Sequence, residues 1–599
     1  MNRPLVAARD RGDAVRHGRG ERVKKGAELL CEALEALGVE HVFGVPGTQN
    51  VELFGALRRS RIRVVVASHE LAASFMAVGY YRASGKVAPL LTIPGPGFTY
   101  ALTGLAEARH DSAAVVHLTG QPPSAAERSF QFQALDQRGM AAPVVKGALR
   151  VDRTEEIGDV VADAFDLALG GEPGPVLVEL SARALQEHAP APVRRRARRT
   201  VAQAPDPAAV EEAAALLAAS RHPLIMAGQG CAGAPDRVRE LAELLGAPVF
   251  TTTSGRGVLP EDHALALGFE FDRGDLGALN ELIGRSDCVL AIGCKLTAAG
   301  THGFALDLPG DRLIHVDSSA DVLGATYRER LGIVGSADEV LERLSASLRR
   351  LRDRLAPTWS PTAVEDWRRR LRTEADGVLE PAVHGAKPAT AAAFFAALGR
   401  ALPRDAIVVT DSGLHQSLVR RHWEVLSPRG LLVPSDFQSM GFGLPAAIGA
   451  KLAAPGRVVV AVLGDGGFAM SGLELLTAVR ERAPLLLVVF NDGQLNRIRL
   501  QQLAQFGRAE GCEVLNPDFA VLAEALGVGY ARCDAGIEDV LRAAAQERRP
   551  TLVEVRLGDS AGIHLMRAKG LARAAVHEVL GAGLASRLKR MLTPWRRTR

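Results

Sequence analysis

Short apolar runs alternate with stretches of helical periodicity along most of the chain, and this alternation divides it into three blocks. The first block, residues 21–190, has candidate strands at 41–45, 63–67, 88–93 and 114–118. The candidate strands of the second block, residues 205–350, are 223–227, 248–252, 288–292 and 312–316, and those of the third, residues 388–556, are 407–410, 458–463, 485–490 and 551–555. Strands separated by helices form parallel sheets with helices on both faces. The pattern therefore predicts an α/β fold of three doubly wound parallel-sheet domains.

Polar and charged segments flank and connect the three blocks. Residues 1–20 form a basic N-terminal tail, residues 191–204 an arginine-rich linker and residues 351–387 a charged helical linker. The C-terminal tail, residues 557–599, is also basic, and its residues 576–592 have apolar positions at the spacing of an amphipathic helix. Such a helix can contact an anionic membrane surface, but more often it packs on its own domain, so membrane contact is the weaker expectation.

The composition is that of an ordinary globular protein, and it argues against several classes of partner. Of the 599 residues, 47% are hydrophobic. No run approaches the roughly 20 apolar residues that cross a membrane, and the N-terminal residues carry charges where a secretory signal is apolar. The net charge of +4 is concentrated in the connectors, so nucleic acid is not an expected partner. Six cysteines without paired spacing indicate neither disulfides nor zinc, and we expect a cytoplasmic location.

Two polar side chains follow two neighbouring apolar runs of the third block. The run 458–463 ends in Gly-Asp465-Gly-Gly, and the run 485–490 ends in Asn491-Asp-Gly. Between the runs, Ser471 and Glu474 have the spacing of a capping box at the start of a helix. A right-handed strand–helix–strand crossover places Asp465 and Asn491 together at the carboxyl edge of the sheet, where open α/β folds bind ligands.

The chemistry of this edge suits a magnesium ion held jointly with phosphates. Asp465 supplies a carboxylate, Asn491 an amide oxygen and Gly493 a backbone carbonyl, which are too few protein ligands for calcium. Gly466 and Gly467 allow backbone N–H groups to approach phosphates closely. A lone Gly-Asp-Gly is a common turn, but the paired spacing favours a binding site.

The stretch 464–493 resembles the diphosphate-binding signature of thiamine diphosphate (ThDP) enzymes. The resemblance implies that Asp465, Asn491 and Gly493 bind Mg²⁺, with Gly466 and Gly467 close to the diphosphate. The segment Asp411-Ser412-Gly413-Leu-His415-Gln similarly resembles a family segment that meets the diphosphate, which implies contacts from Ser412, Gly413 and His415. By chemistry alone, His415 can equally be a structural histidine.

A second resemblance lies in the first block, at Ser-His-Glu70-Leu-Ala-Ala-Ser-Phe-Met-Ala-Val-Gly-Tyr. This resembles the family segment that carries the activating glutamate. In the family, that glutamate hydrogen-bonds N1′ of the pyrimidine and favours the imino tautomer, whose 4′-nitrogen takes the proton from C2 of the thiazolium. Taken alone, an acid in the first turn of a helix is explained by the helix dipole.

Further segments complete the resemblance. In 436–447, Met440 corresponds to the large apolar residue that props the cofactor in a V shape, and Gln438 stands where many relatives have Gly and offer a carbonyl to the aminopyrimidine. A methionine that only fills the core is the alternative for Met440. The loops with Val45-Pro46-Gly47 and with Gln133 resemble those that face the thiazolium from the other side. In the family, the first and third blocks meet across a subunit interface, which implies a homodimer or homotetramer.

The overall pattern looks most like acetolactate synthase, which decarboxylates a 2-oxo acid such as pyruvate and transfers the acyl anion to a second carbonyl. Pro94, Phe98 and Tyr100 are bulkier than in the biosynthetic synthases and suggest a reshaped pocket. The middle block lacks the Gly-Met-His-Gly stretch of flavin-containing synthases, which argues against FAD. Arg497 or Arg499 can pair with a substrate carboxylate, although an exposed arginine at a helix start is the simpler expectation.

Two other functions stay open. One is a ThDP-dependent 2-oxo acid decarboxylase or a lyase similar to 2-hydroxyacyl-CoA lyase, which differs from a synthase in needing no acceptor. The other is a non-catalytic ThDP-binding protein. Intact Glu70, Asp465 and Asn491 argue against the non-catalytic alternative.

Overall fold

Three mainly parallel sheets are present, one for each predicted block, and the α/β fold class is confirmed. The third sheet also includes an antiparallel edge strand at 382–383, within the segment predicted as a helical linker. The computed structural model describes residues 23–121, 131–190, 204–270, 275–355, 359–372 and 380–571. The predictions for tail 1–20, for almost all of linker 191–204 and for the helix 576–592 lie outside these residues. No helix in the described ranges is long and apolar enough to cross a membrane.

The first domain holds a six-stranded parallel sheet in the order β3-β2-β4-β5-β7-β6, and a small antiparallel pair of β1 with β8. Its strands are β1 Val23–Lys25, β2 His41–Gly44, β3 Arg63–Val66, β4 Leu90–Thr92, β5 Val116–Gly120, β6 Gly147–Val151, β7 Val176–Leu180 and β8 His188–Pro190. Its helices are α1 Gly26–Ala36, α2 Val51–Leu57, α3 Glu70–Ser84, α4 Pro96–His110, α5 Gln137–Ala141, α6 Ile157–Leu169 and α7 Ala182–Gln186.

The second domain has a five-stranded parallel sheet in the order β10-β9-β11-β12-β13. Its strands are β9 Pro223–Ala227, β10 Val249–Thr251, β11 Cys288–Ile292, β12 Leu313–Asp317 and β13 Leu331–Val334. Its helices and the linker helix that follows are α8 Pro207–Ala219, α9 Pro235–Leu245, α10 Leu276–Arg285, α11 Ala337–Arg350 and α12 Pro361–Leu371. Side-chain caps start several of these helices, as Asp206 does for α8 and Ser336 for α11.

The third domain has seven strands in the order β14-β20-β18-β17-β15-β16, with β19 also paired to β20 and only β14 antiparallel. Its strands are β14 Ala382–Val383, β15 Ile407–Thr410, β16 Leu431–Leu432, β17 Val459–Gly464, β18 Leu486–Asn491, β19 Gly529–Arg532 and β20 Thr551–Gly558. Its helices are α13 Ala391–Ala401, α14 Leu414–His422, α15 Gly443–Ala453, α16 Asp465–Ser471, α17 Leu475–Arg480, α18 Asn496–Phe506, α19 Phe519–Leu526 and α20 Ile537–Gln546, and residues 561–571 are also helical.

The first and third domains share one hydrophobic core, which is built where helix α3 crosses helix α15. The crossing is close because glycines lie in the contact. A Cβ atom at Gly79 would clash with the carbonyl oxygen of Ala446, and one at Gly449 would clash with the carbonyl oxygen of Met76. Packing between these helices therefore fixes the two domains against each other within one chain.

The bounds of the predicted strands lie within three residues of the observed ones, but the capping box at Ser471 and Glu474 is wrong. Helix α16 begins earlier, at Asp465, and the hydroxyl of Ser471 has no hydrogen-bond partner in the described chain. Glu474 instead accepts hydrogen bonds from the backbone N–H of Ser68 at 3.0 Å and from the hydroxyl of Thr477 at 2.7 Å. The Glu474 carboxylate, which the local spacing assigns to a helix cap, thus bonds to the first domain instead.

Candidate active site

Asp465 lies at the carboxyl edge of the third sheet, where strand β17 turns directly into helix α16. The residue is only 1% exposed. Its Oδ1 accepts a hydrogen bond from the backbone N–H of Gly466 at 2.8 Å, and its Oδ2 accepts from those of Asp492 at 3.2 Å and Gly493 at 2.6 Å. Two neighbouring loops therefore hold this carboxylate in one orientation.

Asn491 ends strand β18, the direct neighbour of β17, so the expected proximity to Asp465 is observed. Its Nδ2 donates to Oε1 of Glu554 at 2.7 Å, and the hydroxyl of Tyr530 donates to Oε2 of the same carboxylate at 2.7 Å. Nδ2 of Asn516 bridges the pair, since it donates to Oδ2 of Asp465 at 2.7 Å and to Oδ1 of Asn491 at 2.8 Å. Sequence reasoning missed Glu554 and Asn516.

Gly493 has φ +66°, a left-handed conformation that favours glycine, and its carbonyl accepts from the backbone N–H of Val514 at 2.9 Å. Burial, together with the nearby charge of Asp465, raises the pKa of Asp492 to about 7. In the described part of the chain, no cluster of three or more His, Cys, Asp or Glu side chains is arranged to hold a metal ion. One carboxylate, one amide oxygen and one carbonyl instead fit Mg²⁺ that shares its coordination with phosphates.

Glycines beside Asp465 leave no room for side chains. A Cβ atom at Gly466 would lie 2.6 Å from Cδ2 of Leu495, and one at Gly467 would lie 2.9 Å from Oδ2 of Asp411. At both positions the space that a Cβ atom would take is therefore already filled by a neighbouring side chain. This cradle fits the close approach of a diphosphate that the sequence predicts.

His415 reaches the same edge from helix α14, which begins just after Ser412 and Gly413. Burial lowers the pKa of His415 to about 4, so the imidazole is neutral at pH 7. Its Nε2 has no hydrogen-bond partner among the described residues, and its Nδ1 lies 3.0 Å from the position of a Cβ atom at Gly464. A neutral imidazole with a free nitrogen is thus available next to the Asp465 loop.

Asp411 connects two loops at this edge, a role that the sequence motif does not reveal. Its side-chain oxygens accept hydrogen bonds from the backbone N–H groups of Ser412 at 2.7 Å, Gly441 at 3.0 Å and Gly443 at 3.2 Å. Burial raises its pKa to about 7. The residue therefore ties the Ser412 loop to the segment that carries Met440.

Gln438 and Met440 lie on that segment, which the first domain also holds. Gln438 has φ +60° and is exposed, whereas Met440 is half-buried and its Cε lies 3.7 Å from the position of a Cβ atom at Gly466. Between them, the backbone N–H of Ser439 donates to Oε2 of Glu107 at 2.9 Å. Met440 is thus beside the Asp465 loop.

The predicted residues of the first domain form a second group at the carboxyl edge of the first sheet. Oε1 of the half-buried Glu70 lies 3.0 Å from the position of a Cβ atom at Gly97. Gln133 has φ +57° and accepts a hydrogen bond from the side chain of Gln49. Across the loop Val45-Pro46-Gly47, Nδ2 of Asn50 donates to the carbonyl of Val45 at 3.2 Å, while Oδ1 of the same side chain accepts from the N–H of Gly47 at 2.7 Å.

The structure changes two expectations about the substrate pocket, those for Phe98 and for Arg499. Phe98 is buried and stacks on His117 with ring centroids 5.9 Å apart, so it belongs to the core and does not line a pocket, whereas Tyr100 is exposed. Arg499 pairs with Asp559 through hydrogen bonds of 2.8 and 2.6 Å. The Arg499 guanidinium, a candidate for binding a substrate carboxylate, is thus already paired with the carboxylate of Asp559.

A separate cavity of about 360 Å³ lies at the carboxyl edge of the second sheet, where the three domains meet. Its lining includes Gln229, Lys295 and Asp317. Nζ of Lys295 pairs with Oε1 of Glu172 from the first domain at 2.6 Å. The volume is within the range of small-molecule sites.

Comparison with protein families agrees with this arrangement. The N-terminal TPP binding domain of thiamine pyrophosphate enzymes matches residues 24–140, their central domain matches residues 210–344, and their C-terminal TPP binding domain matches residues 411–555. Thiamine pyrophosphate is another name for ThDP. The chain belongs to the family of ThDP-dependent enzymes.

Within that family, its relatives include large subunits of acetolactate synthase. The chain is 33% identical over 552 residues to a probable acetolactate synthase large subunit of Methanocaldococcus jannaschii, a match that covers 89% of this chain and 91% of the relative. It is 30% identical over 555 residues to the acetolactate synthase isozyme 1 large subunit of Escherichia coli, with coverage of 91% and 96%. Identity to the acetolactate synthase large subunit of Lactococcus lactis is 30% over 565 residues, with coverage of 92% and 96%.

Proposed function

We propose that the protein is a ThDP- and Mg²⁺-dependent carboligase of acetolactate synthase type. It decarboxylates a 2-oxo acid such as pyruvate and transfers the acyl anion to a second carbonyl. The observation that carries this proposal is the group of Asp465, Asn491 and Gly493 at one sheet edge, in a chain whose relatives are acetolactate synthase large subunits.

Asp465, Asn491 and the carbonyl of Gly493 hold Mg²⁺ in this proposal. The diphosphate lies against Gly466 and Gly467, with Ser412, Gly413 and His415 as further contacts. The unpartnered Nε2 of His415 and the tight glycine cradle support this assignment.

When bound, ThDP supplies a nucleophilic carbon and an electron sink for decarboxylation. Glu70 holds the proton on which that activation depends, and it is half-buried beside Gly97. Met440 and the carbonyl of Gln438 orient the cofactor, while Val45, Pro46, Gly47 and Gln133 face it from the first domain.

The catalytic unit in this proposal is a homodimer or a homotetramer, because the Glu70 group of one subunit meets the Asp465 group of another. In the described part of one chain, no hydrogen bond or ion pair joins the two groups. Exposed apolar side chains support an interface on both domains. They are Val51, Tyr100, Phe132 and Met140 in the first domain and Met470, Leu473, Leu476 and Leu515 in the third.

Product analysis tests the proposed reaction. The purified protein is incubated with pyruvate, ThDP and Mg²⁺, with and without FAD, and the products are identified by NMR. Acetolactate is the expected product, and its formation without FAD identifies a flavin-independent synthase. Acetaldehyde alone would identify a decarboxylase, and intact pyruvate despite ThDP binding would direct the search to larger 2-oxo acids and acyl-CoA donors.

A further inference from the structure

The side chain of Asn516 touches two of the three proposed metal ligands. Its Nδ2 lies 2.7 Å from Oδ2 of Asp465 and 2.8 Å from Oδ1 of Asn491. The same segment also contacts the third proposed ligand, since the backbone N–H of Val514 donates to the carbonyl of Gly493 at 2.9 Å. Residues 514–516 thus contact the whole ligand set.

The distances from the Asn516 amide to the two oxygens suit hydrogen bonds, and they also match those between neighbouring ligand atoms of a magnesium ion. In an octahedral Mg²⁺ site with bonds of about 2.0–2.1 Å, adjacent ligand atoms are about 2.9 Å apart. The terminal amide atom of Asn516 is at nearly this distance from both oxygens. A further ligand atom, or a water molecule of the metal, would have the same spacing.

The amide can turn when a cation is bound to these oxygens. Oδ2 of Asp465 already accepts from the backbone N–H groups of Asp492 and Gly493, which the loop fixes, so Asn516 is the side-chain donor among its three partners. As a donor, the amide holds the two oxygens in place, but it offers no lone pair to a cation. Rotation of the amide by 180° exchanges nitrogen and oxygen and presents an acceptor instead.

The backbone on both sides of Asn516 keeps the amide at this position. Before it, the carbonyl of Cys512 accepts from the N–H of Leu495 at 2.7 Å. After it, the side chain of Asp518 caps helix α19 by accepting from the N–H of Ala520 at 2.9 Å. The side chain can rotate while its Cα remains in place.

We propose that Asn516 is a metal-site residue, whose side-chain oxygen faces the Mg²⁺ ion directly or through one metal-bound water. This inference rests on the proposed function, because it takes Asp465, Asn491 and Gly493 as the metal ligands. Asn516 then affects the affinity for the metal and the diphosphate. It joins the metal site from a loop that lies outside the sequence motif 464–493.

Metal binding without turnover tests the inference. Mn²⁺, used as the probe, is titrated into the full-length protein with saturating ThDP, and the Kd is measured by electron paramagnetic resonance of the free ion. We expect Asn516→Ala to raise the Kd roughly tenfold, in the range seen when groups that support a metal site are removed. Asn516→Asp keeps an oxygen at this position, so its Kd stays at or below that of the wild type.

Two further variants make the result specific. Asn496→Ala removes a nearby amide that donates to Asp492 at 2.6 Å and to none of the three proposed metal ligands, and its Kd should change less than twofold. Asp465→Ala should abolish Mn²⁺ binding. Melting temperatures measured with EDTA check that each variant is folded.

The outcomes separate this inference from the proposed function. If Asn516→Ala binds Mn²⁺ as tightly as the wild type or more tightly, or if Asn516→Asp is as weak as Asn516→Ala, the role of Asn516 is wrong while the metal site stands. If Asp465→Ala binds Mn²⁺ like the wild type, the metal site itself is wrong, and the inference falls with it.

Discussion

The Asp465 group of the third domain and the Glu70 group of the first domain are held in different ways. Asp465 is almost fully buried, and three backbone N–H groups and one amide fix its two oxygens. Glu70 is half-buried, and its carboxylate accepts no hydrogen bond within the described part of the chain. The contrast indicates that the fold organises the Asp465 group in advance and leaves the Glu70 carboxylate open to contact.

This difference suggests a division of roles, in which one group binds and the other supports the proton transfer. A buried carboxylate with fixed neighbours loses little entropy when a cation binds to it. An accessible carboxylate suits a group that holds a proton for another molecule. Substitutions in the two groups should therefore affect binding and turnover to different extents.

Asp465→Ala should have the largest effect, because it removes the one charged oxygen ligand of the proposed metal site. We expect affinity for ThDP in the presence of Mg²⁺ to fall at least 100-fold, and acetolactate formation to fall below detection. Quenching of intrinsic fluorescence by ThDP and product NMR measure the two effects. A variant that binds ThDP normally would contradict the assignment of the group to binding.

Glu70→Gln should separate turnover from binding. The change is nearly isosteric but removes the carboxylate, so we expect turnover to fall about 10²- to 10⁴-fold, the usual size of a proton-transfer contribution. The Kd for ThDP should stay within about threefold of the wild type, because Asp465 and its neighbours are unchanged. Steady-state kinetics and fluorescence quenching provide both values.

A matched control for this variant is Glu155→Gln, at an exposed acid in the 3₁₀ turn before helix α6, with no role in the site. It should leave both turnover and Kd unchanged. Full activity of Glu70→Gln would exclude the activating role, and an equal loss of binding and turnover would remove the difference between the two groups.

Much of the fold and part of the site follow from local sequence. The apolar runs before Asp465 and Asn491 are neighbouring buried strands, and the handed crossover brings their ends to one edge. The cradle at Gly466 and Gly467 follows from the same motif, because glycine is the residue that leaves the backbone open. These features depend on short segments, so their patterns are visible in the chain.

Other features depend on contacts between distant segments and have no local pattern. Asn516 reaches the proposed metal ligands from a loop after helix α18, and Glu554 bonds to Asn491 from strand β20. The two-residue strand β16 is too short for a periodic pattern. The sequence predicts Phe98 as a bulky pocket residue, yet on helix α4 its side chain is buried in the core. Tertiary packing decides all four.

Leu473→Asp should weaken the proposed subunit interface. Leu473 is 62% exposed between α16 and α17, next to Glu474, which bonds to the first domain. A charge in an apolar contact is costly, so we expect the dimer Kd to rise about tenfold or more. Activity should decline at low protein concentration and recover when the concentration is raised. Analytical ultracentrifugation and activity dilution series measure both effects.

Val521→Asp is the control for the interface, since Val521 is 63% exposed on helix α19 and is not one of the residues assigned to the interface. This variant should retain the oligomeric state of the wild type. A fully active monomer of Leu473→Asp would contradict the idea that the two groups meet across subunits.

Glu107→Gln should have the smallest effect and tests the contact that joins the two domains near the site. Burial, with a further contribution from Asp111, raises the pKa of Glu107 from 4.5 to about 7. Between these values the folded protein holds a proton that the unfolded chain releases, so the stability from this group falls as the pH rises from about 4.5 to about 7. Glutamine does not titrate and removes this dependence.

We therefore expect the melting temperature of the wild type to fall more steeply than that of Glu107→Gln between pH 5 and pH 7. The difference in unfolding free energy across this window is at most on the order of 3 kcal/mol. Because Glu107 accepts from Ser439, between Gln438 and Met440, the same variant should change the KM for ThDP less than about threefold. Parallel melting curves for the two proteins would show that Glu107 does not titrate in this range, and that the junction between the domains is insensitive to pH.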